Sequence, residues 1–362
     1  MTTTAPRPTA VGALRDRILR LAERVTTPLV PTDYLDVIDP LRSPTDLRGR
    51  IVAVHPETRD AVSLIIEPGH GWRGHVPGQY VRIGVDVDGV RQWRAYSLTS
   101  VAGRPDGHIA ITVKATPGGV VSNHLVRRAT VGTVVQLEQA AGDFTLGAQP
   151  PARILFVTAG SGITPVMGML RNLPDGSDVV VLHSARTAED AVFGGELRMM
   201  ASRGRISLLE RHTDLDGRLD VADIARLVGD FADRQTWACG PAGMLDALQA
   251  RWDADGIAER LHIERFQTAV IAAGDGGTVT FAKSDTTVEA DGAQSLLDAG
   301  EAAGVLMPSG CRMGVCFGCV VPLRRGAVRD LRSGDVTTAA PGDGVAIQTC
   351  VSAAAGACDI DL

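Results

Sequence analysis

The spacing of apolar and polar residues changes character three times along this chain. Between residues 47 and 146, short runs at 50–54, 61–66, 80–87, 90–98, 108–115 and 134–138 alternate in the two-residue period of half-buried strands, with turn residues between them. One helix signal, at 122–128, interrupts the strands, and Asp88-Gly89 marks a hairpin turn. The pattern predicts a small antiparallel β-barrel. From 153 to 266 apolar strands at 154–158, 178–183, 206–209 and 235–239 alternate with helices from 165, near 189–202 and from 243. That order predicts a parallel sheet with helices on both faces. After the Ala/Gly-rich stretch 269–277, strands at 279–282 and 286–289 and a helix at 295–303 precede a cysteine-rich loop. At the other end, Val11, Leu14, Ile18, Leu21 and Val25 recur at three- and four-residue steps beside Arg15, Arg17, Arg20 and Arg24. They predict an amphipathic helix, followed by an extended Pro-rich strap at 27–44.

The expected division is therefore 1–45 as an N-terminal extension, 46–149 as the barrel, 150–268 as the α/β domain, 269–277 as a linker and 278–362 as the last domain. Composition agrees with several packed cores: 362 residues, 44% hydrophobic and 22% charged. The net charge of −6 gives no overall basic bias toward nucleic acid. The apolar stretch 154–170 is broken by Gly160, Ser161, Gly162 and Pro165, so no membrane span is expected. The first residues lack the layout of a secretory signal, and a cytoplasmic protein is expected. The Arg-rich helix fits packing on a neighbouring domain or, more sharply, docking on an acidic partner or the inner face of a membrane.

Cys311, Cys316 and Cys319, with Cys350 further on, have the plant-type [2Fe–2S] spacing: four intervening residues, then two, then a distant fourth. Gly310, Gly314 and Gly318 suit a loop that wraps a cluster closely. Zinc sites pair cysteines as two short knuckles, which this loop does not do. Cys358 lies outside the pattern.

Arg94-Ala95-Tyr96-Ser97-Leu98-Thr99 ends a barrel strand. There an arginine can fork onto a flavin phosphate, a tyrosine can lie against the isoalloxazine and a serine can reach its redox-active edge. Gly118-Gly119-Val120-Val121-Ser122 opens the barrel's helix, whose N-terminal amides suit a second phosphate, and this favours FAD over FMN. In the α/β domain, Gly160-Ser161-Gly162-Ile163-Thr164-Pro165 joins a strand to a helix, with Thr164 placed to cap it. Cys239-Gly240-Pro241-Ala242-Gly243-Met244 ends another parallel strand, where ligands bind in such sheets.

These three signatures, in this order, resemble those of ferredoxin–NADP⁺ reductase-type flavoproteins, and the cysteine loop resembles a plant-type ferredoxin fused behind them. The resemblance covers about residues 46–362. It implies an antiparallel flavin barrel, a parallel nucleotide-binding α/β domain and a β-grasp ferredoxin domain. It also implies that Arg94, Ala95, Tyr96, Ser97, Thr99, Val113, Lys114, Gly118, Gly119, Val120, Val121 and Ser122 hold FAD. The residues for the nicotinamide nucleotide would be Gly160, Ser161, Gly162, Thr164, Pro165, Cys239, Gly240, Pro241, Gly243 and Met244. Ser97, Cys239 and Glu264 would surround hydride transfer, with Phe266 beside the flavin. Arg186, ending the second parallel strand without an acidic residue there, favours NADPH over NADH.

A nicotinamide gives electrons as a hydride pair and a [2Fe–2S] cluster takes one, so the flavin is expected between them. Arg312, Arg324, Arg325 and Arg329, near the cysteine loop in sequence, read as a solvated surface. The strap, together with Gln92-Trp93-Arg94 and Leu306-Met307-Pro308, resembles bacterial oxidoreductases that supply electrons to membrane acyl-CoA Δ9-desaturases. That resemblance makes such a desaturase the expected acceptor. The reductase of a Rieske-type ring hydroxylase is the alternative, and a redox-sensing binding protein is an alternative of another class.

Overall fold

The computed structural model describes residues 39–43, 46–87, 89–266, 275–310, 312, 314 and 317–362. The N-terminal helix with Val11 to Val25, most of the strap, Asp88, positions 269–274 of the expected linker, Cys311 and Cys316 lie outside the described residues.

Six strands build the first unit: β1 (Arg48–Thr58), β2 (Ala61–Pro68), β3 (Tyr80–Val87), β4 (Val90–Ser97), β5 (Ile109–Lys114) and β6 (Val134–Leu137). They pair in the order β4-β3-β6-β1-β2-β5, all antiparallel. The ends meet through a bridge between Leu98 and Ile111 and a bond from the Thr99 amide to the Ala110 carbonyl, which closes the sheet into a barrel. Closure leaves one face of every strand inside, where Ile51, Leu64, Ile66, Ile83, Leu98 and Ile111 are buried together. The helix α1 (Val120–Arg127) plugs one end with Val121 and Leu125.

In the second unit β7 (Arg153–Ala159), β8 (Asp178–Ala185), β9 (Ser207–His212), β10 (Gln235–Cys239) and β11 (Leu261–Glu264) form a parallel sheet ordered β11-β10-β7-β8-β9. Strand β7 is apolar on both sides because both faces are covered. Ile154 and Phe156 pack with α2 (Ile163–Leu170) and α3 (Gly194–Ser202), while Leu155 and Val157 pack with α4 (Ala242–Ala254). The chain runs outward from β7 to β9 and then returns to the other side at β10. This creates a topological switch point between β7 and β10, where ligands bind in such sheets.

The third unit is a mixed sheet. Strands β12 (Gly277–Phe281) and β13 (Thr286–Ala290) pair, and then α5 (Leu296–Ala302) crosses the sheet. After the cysteine loop come β14 (Val320–Asp330), β15 (Val336–Ala339), β16 (Ala346–Gln348) and β17 (Ser352–Ile360). The order is β13-β12-β17-β14-β15, with β16 on β14 and only β12 and β17 parallel. Cys358 is buried in this core, where it has no part in the loop; burial pushes its thiol up to about 11.

The first two units are locked together next to the switch point. Arg171 donates to the Thr99 carbonyl at 2.6 Å, Asn172 receives the Ala102 amide at 2.9 Å, and the Trp237 indole donates to the Thr145 carbonyl at 3.2 Å. Gly168 permits the close approach, since a Cβ there would lie 2.3 Å from the Leu98 carbonyl oxygen.

Candidate functional site

A cleft of about 950 Å³ lies where the three units meet. From the barrel it is lined by Arg94, Ala95, Tyr96, Ser97, Lys114 and the start of α1, that is Gly119, Val120, Val121 and Ser122. The α/β unit adds Gly160, Ser161, Gly162, Thr164, Gly240, Pro241, Glu264 and Phe266, and the third unit adds Asp298, Arg312 and Cys350. Most of the residues singled out from the sequence thus converge, although up to 256 positions separate them.

The barrel wall has the features of a flavin site. Tyr96 is partly buried, packed against the barrel core while lining the cleft, and burial pushes its phenol far up. The Ser97 hydroxyl is buried and has no hydrogen-bond partner in the protein. Buried polar atoms are normally satisfied, so this oxygen fits a polar ligand edge. The Arg94 guanidinium bonds the adjacent Trp93 carbonyl at 2.7 Å, and burial lowers its proton affinity, with a nearby Arg312 adding to the effect. Lys114 is held by Asp60 at 2.8 Å. The turn before α1 is prebuilt: the Thr116 and Ser122 hydroxyls lie 3.1 Å apart, and a Cβ on Gly119 would strike both.

On the α/β side, Gly160 takes φ +56, which glycine adopts without a steric penalty. Gly162 serves another need: a Cβ there would sit 2.1 Å from the Cys239 carbonyl oxygen, so only glycine lets the loop after β7 pass this close to the end of β10. Gly162→Ala is therefore expected to lower stability by about 2 kcal/mol and to raise the KM for the coenzyme. Gly160→Ala should cost about 1 kcal/mol, since only its backbone angle resists a side chain. Thermal unfolding with coenzyme kinetics compares the two.

Glu264 ends β11 in register with Cys239. Burial pushes its carboxyl up to about 8, and Oε2 has no partner. A protonated carboxyl with an open oxygen, sharing a cleft with the unsatisfied Ser97 hydroxyl, suits a flavin–nicotinamide contact.

Other sequence expectations are placed differently. Thr99 is fully buried and faces Thr112 inside the barrel at 3.4 Å, and Val113 is likewise a core residue. Thr164 does not cap α2: the helix begins at Ile163, and the Thr164 hydroxyl donates to the Ser161 carbonyl within the first turn. Pro165 packs into the core. Cys239 is fully buried beneath the cleft among the residues of the sheet core, and burial raises its thiol well above the usual range. Its side chain is not on the cleft surface. Gly118, Gly243 and Met244 lie beside the lining without entering it, with Met244 against Gly240. Arg186 stands apart from the cleft, half-exposed between Asp190 at 3.3 Å and Asp214 at 3.7 Å.

Cys319 and Cys350 converge in the third unit, both buried, with their sulfurs sharing a hydrogen bond at 3.2 Å. That contact, against the opposing effect of burial, holds the Cys319 thiol down to about 6. Cys319 is thus disposed toward thiolate, the form that binds iron. Of the four arginines expected on a solvated surface, Arg324 and Arg325 form surface ion pairs with Asp361 and Asp359. Arg312 instead lines the cleft, and Arg329 is partly buried, donating to the Gly334 carbonyl at 2.9 Å. Sequence reasoning missed Arg332: bound to Asp330 at 2.6 Å, it also donates to the Gly314 carbonyl at 3.2 Å, as Gln348 does at 3.0 Å. These two side chains clamp the cysteine loop. Their own positions, 13 and 29 residues beyond Cys319, carry no motif that would have flagged them.

The fold and cleft define an electron-transfer reductase with an FAD barrel, a nucleotide-binding sheet and a [2Fe–2S] domain. The models of the oxidoreductase FAD-binding domain and of the 2Fe-2S iron-sulfur cluster binding domain match residues 68–146 and 279–355. An NADPH oxidoreductase of Mycobacterium tuberculosis is 49% identical over 98% of this chain and 96% of its own length. The ferredoxin reductase component of 3-ketosteroid-9-alpha-monooxygenase, from the same organism, is 31% identical over 78% of this chain and 86% of its own. The solved structure of phthalate dioxygenase reductase, 24% identical, covers 88% of this chain and 98% of its own with a TM-score of 0.62, and shares the fold. The chain belongs to the family of ferredoxin reductase-type flavoproteins with a C-terminal [2Fe–2S] domain, and it is an NAD(P)H-dependent oxidoreductase. Among the described residues, no helix is long and apolar enough to cross a membrane.

Proposed function

We propose that this chain draws electrons from NADPH and delivers them singly to a membrane acyl-CoA Δ9-desaturase. The observation that carries the relay is the cleft itself, in which the Tyr96–Ser97 wall, the Gly160–Gly162 turn and the Cys350 side of the cluster loop face one space. FAD in this cleft supplies the exchange between a two-electron donor and a one-electron acceptor. Tyr96 and Ser97 would orient its ring, Arg94 and the turn before α1 would hold its phosphates, and Glu264, in the same cleft, keeps a proton on its carboxyl. Gly162 and Gly240 let the nucleotide approach the strand ends. Cys319 and Cys350, with Cys311 and Cys316, hold the cluster. The domain limits proposed are 46–149, 150–268 and a last unit that begins slightly before the expected 278, since Gly276 bridges Ala355 and Gly277 opens β12, and runs to 362.

The choice of acceptor rests on the N-terminal segment. A match over 98% of the chain extends into this segment, and the relative that gives it is an NADPH oxidoreductase. The 3-ketosteroid-9-alpha-monooxygenase component matches a smaller share, 78%, and its name favours the second reading, reductase of a Rieske-type hydroxylase. NADPH-driven conversion of stearoyl-CoA to monounsaturated product by desaturase-containing membranes, with and without this protein, tests the choice. Product that needs both components supports the desaturase. Rapid cytochrome c reduction without product from any desaturase tested moves the acceptor to a hydroxylase.

Arg186 bears on the coenzyme. Asp190 and Asp214 orient its guanidinium at the end of β8, where a 2′-phosphate would lie. Arg186→Glu is expected to lower kcat/KM for NADPH by about tenfold or more while sparing NADH. Equal losses for both coenzymes would remove Arg186 from coenzyme choice.

A further inference from the structure

We propose that Arg312, carried on the cysteine loop, is a ligand of the flavin phosphate and with Arg94 forms an anion clamp that neither the barrel nor the ferredoxin-type unit makes alone. The proposal deepens the flavin reading of the cleft and rests on it.

Two observations carry it. Arg94 and Arg312 come from separate units yet line the same cleft. Like charges brought together in a partly desolvated space repel, and an anion between them turns the arrangement into an attractive one. The second observation is the way Arg312 is held. Its backbone takes φ +60, the left-handed region that L-residues other than glycine seldom occupy, and its side chain is only 18% exposed. Asp298, at 3.2 Å, and Glu301 of α5 hold the guanidinium in that place. Lys114 on the barrel wall is braced in the same way by Asp60. The electrostatic influence of Arg312 on Arg94, second only to burial in disfavouring the Arg94 charge, agrees with the juxtaposition.

The two acids set the sign of the effects. Each positions Arg312 but opposes an incoming phosphate by its own charge. A phosphate ligand and a merely structural ion pair therefore respond differently to mutation. By linkage, whatever affinity flavin gains from Arg312 is returned as docking of the cluster domain against the barrel.

The test uses the full-length protein with its cluster intact and its flavin removed, titrated with FAD and with riboflavin, which has no phosphate, and followed by fluorescence. Arg312→Gln is expected to weaken FAD by about tenfold and to leave riboflavin unchanged. Asp298→Asn is expected to tighten FAD, and both effects should shrink at high salt. Arg312→Lys, which keeps the charge, should retain most of the affinity if the glutamine variant fails to hold its cluster. The proposal is overturned if Arg312→Gln leaves FAD binding unchanged, if FAD and riboflavin weaken alike, or if Asp298→Asn weakens FAD as Arg312→Gln does. Arg94→Gln keeps the two levels apart: loss of FAD affinity there with none at Arg312 leaves the flavin site standing, whereas no loss at either removes the flavin reading itself.

Discussion

Cys350→Ser is expected to reduce NADPH-driven cytochrome c reduction by at least about 100-fold, while turnover with ferricyanide, which the flavin can reduce directly, continues near the parent rate. Cys350 is the residue at which the cysteine set and the cleft coincide, since it lines the space shared with Tyr96 and Ser97 and bonds Cys319 at 3.2 Å. Serine keeps the shape and removes the soft thiolate. The variant should keep its flavin absorbance and lose the visible bands of the cluster. Loss of both acceptor activities together, with flavin retained, would mean that Cys350 matters to the flavin site itself.

Glu264→Gln should have the largest effect on how stability depends on pH. Burial lifts this carboxyl from an ordinary 4.5 to about 8 in the folded protein. Between those values the unfolded chain has released the proton that the folded chain still holds. The contribution of Glu264 to stability therefore falls as pH rises across this window and levels off above about 8. The full span corresponds to at most about 5 kcal/mol. Glutamine has no proton to lose, so the variant should lack this decline. The buried His183 imidazole, held down to about 4, raises stability with pH below about 6.5 in both proteins. The comparison is therefore read between about 6.5 and 8, where the parent's melting temperature should fall and the variant's should be nearly flat. Its rate of flavin reduction by NADPH should fall by about tenfold or more. Parallel pH profiles for the two proteins would show that Glu264 is not the buried acid.

The two predictions draw on different amounts of sequence information. The cysteine spacing was legible because cluster ligation restricts both residue type and separation. Arg94 to Ser97 and Gly160 to Gly162 were legible because phosphate and ring contacts demand forked donors and bare backbone at fixed places. The barrel and the parallel sheet followed from two clean periods. Strand β17 was missed because Ser352–Ile360 is alanine-rich and carries almost no β signal of its own; its place between β12 and β14 comes from tertiary pairing. Strand β14 was missed because Pro322 and Gly326 break its strand pattern and Arg324 and Arg325 read as a solvated surface. The inward turn of Thr99 and the burial of Cys239 depend on which way a strand end faces, and a motif does not record that. Arg332 was invisible for a related reason: its bond to Gly314 spans 18 positions and belongs to no local pattern.

The relay is tested most directly by mixing the purified holoprotein anaerobically with NADPH and following flavin absorbance and the EPR signal of the reduced cluster in the same samples. The account predicts prompt bleaching of the flavin, then a cluster signal approaching one spin per chain. In Cys350→Ser the bleaching should persist and the cluster signal should be absent. A cluster that stays oxidised while the flavin of the intact protein is fully reduced would contradict the account, because the cleft joining the barrel to Cys350 would then not be an electron path.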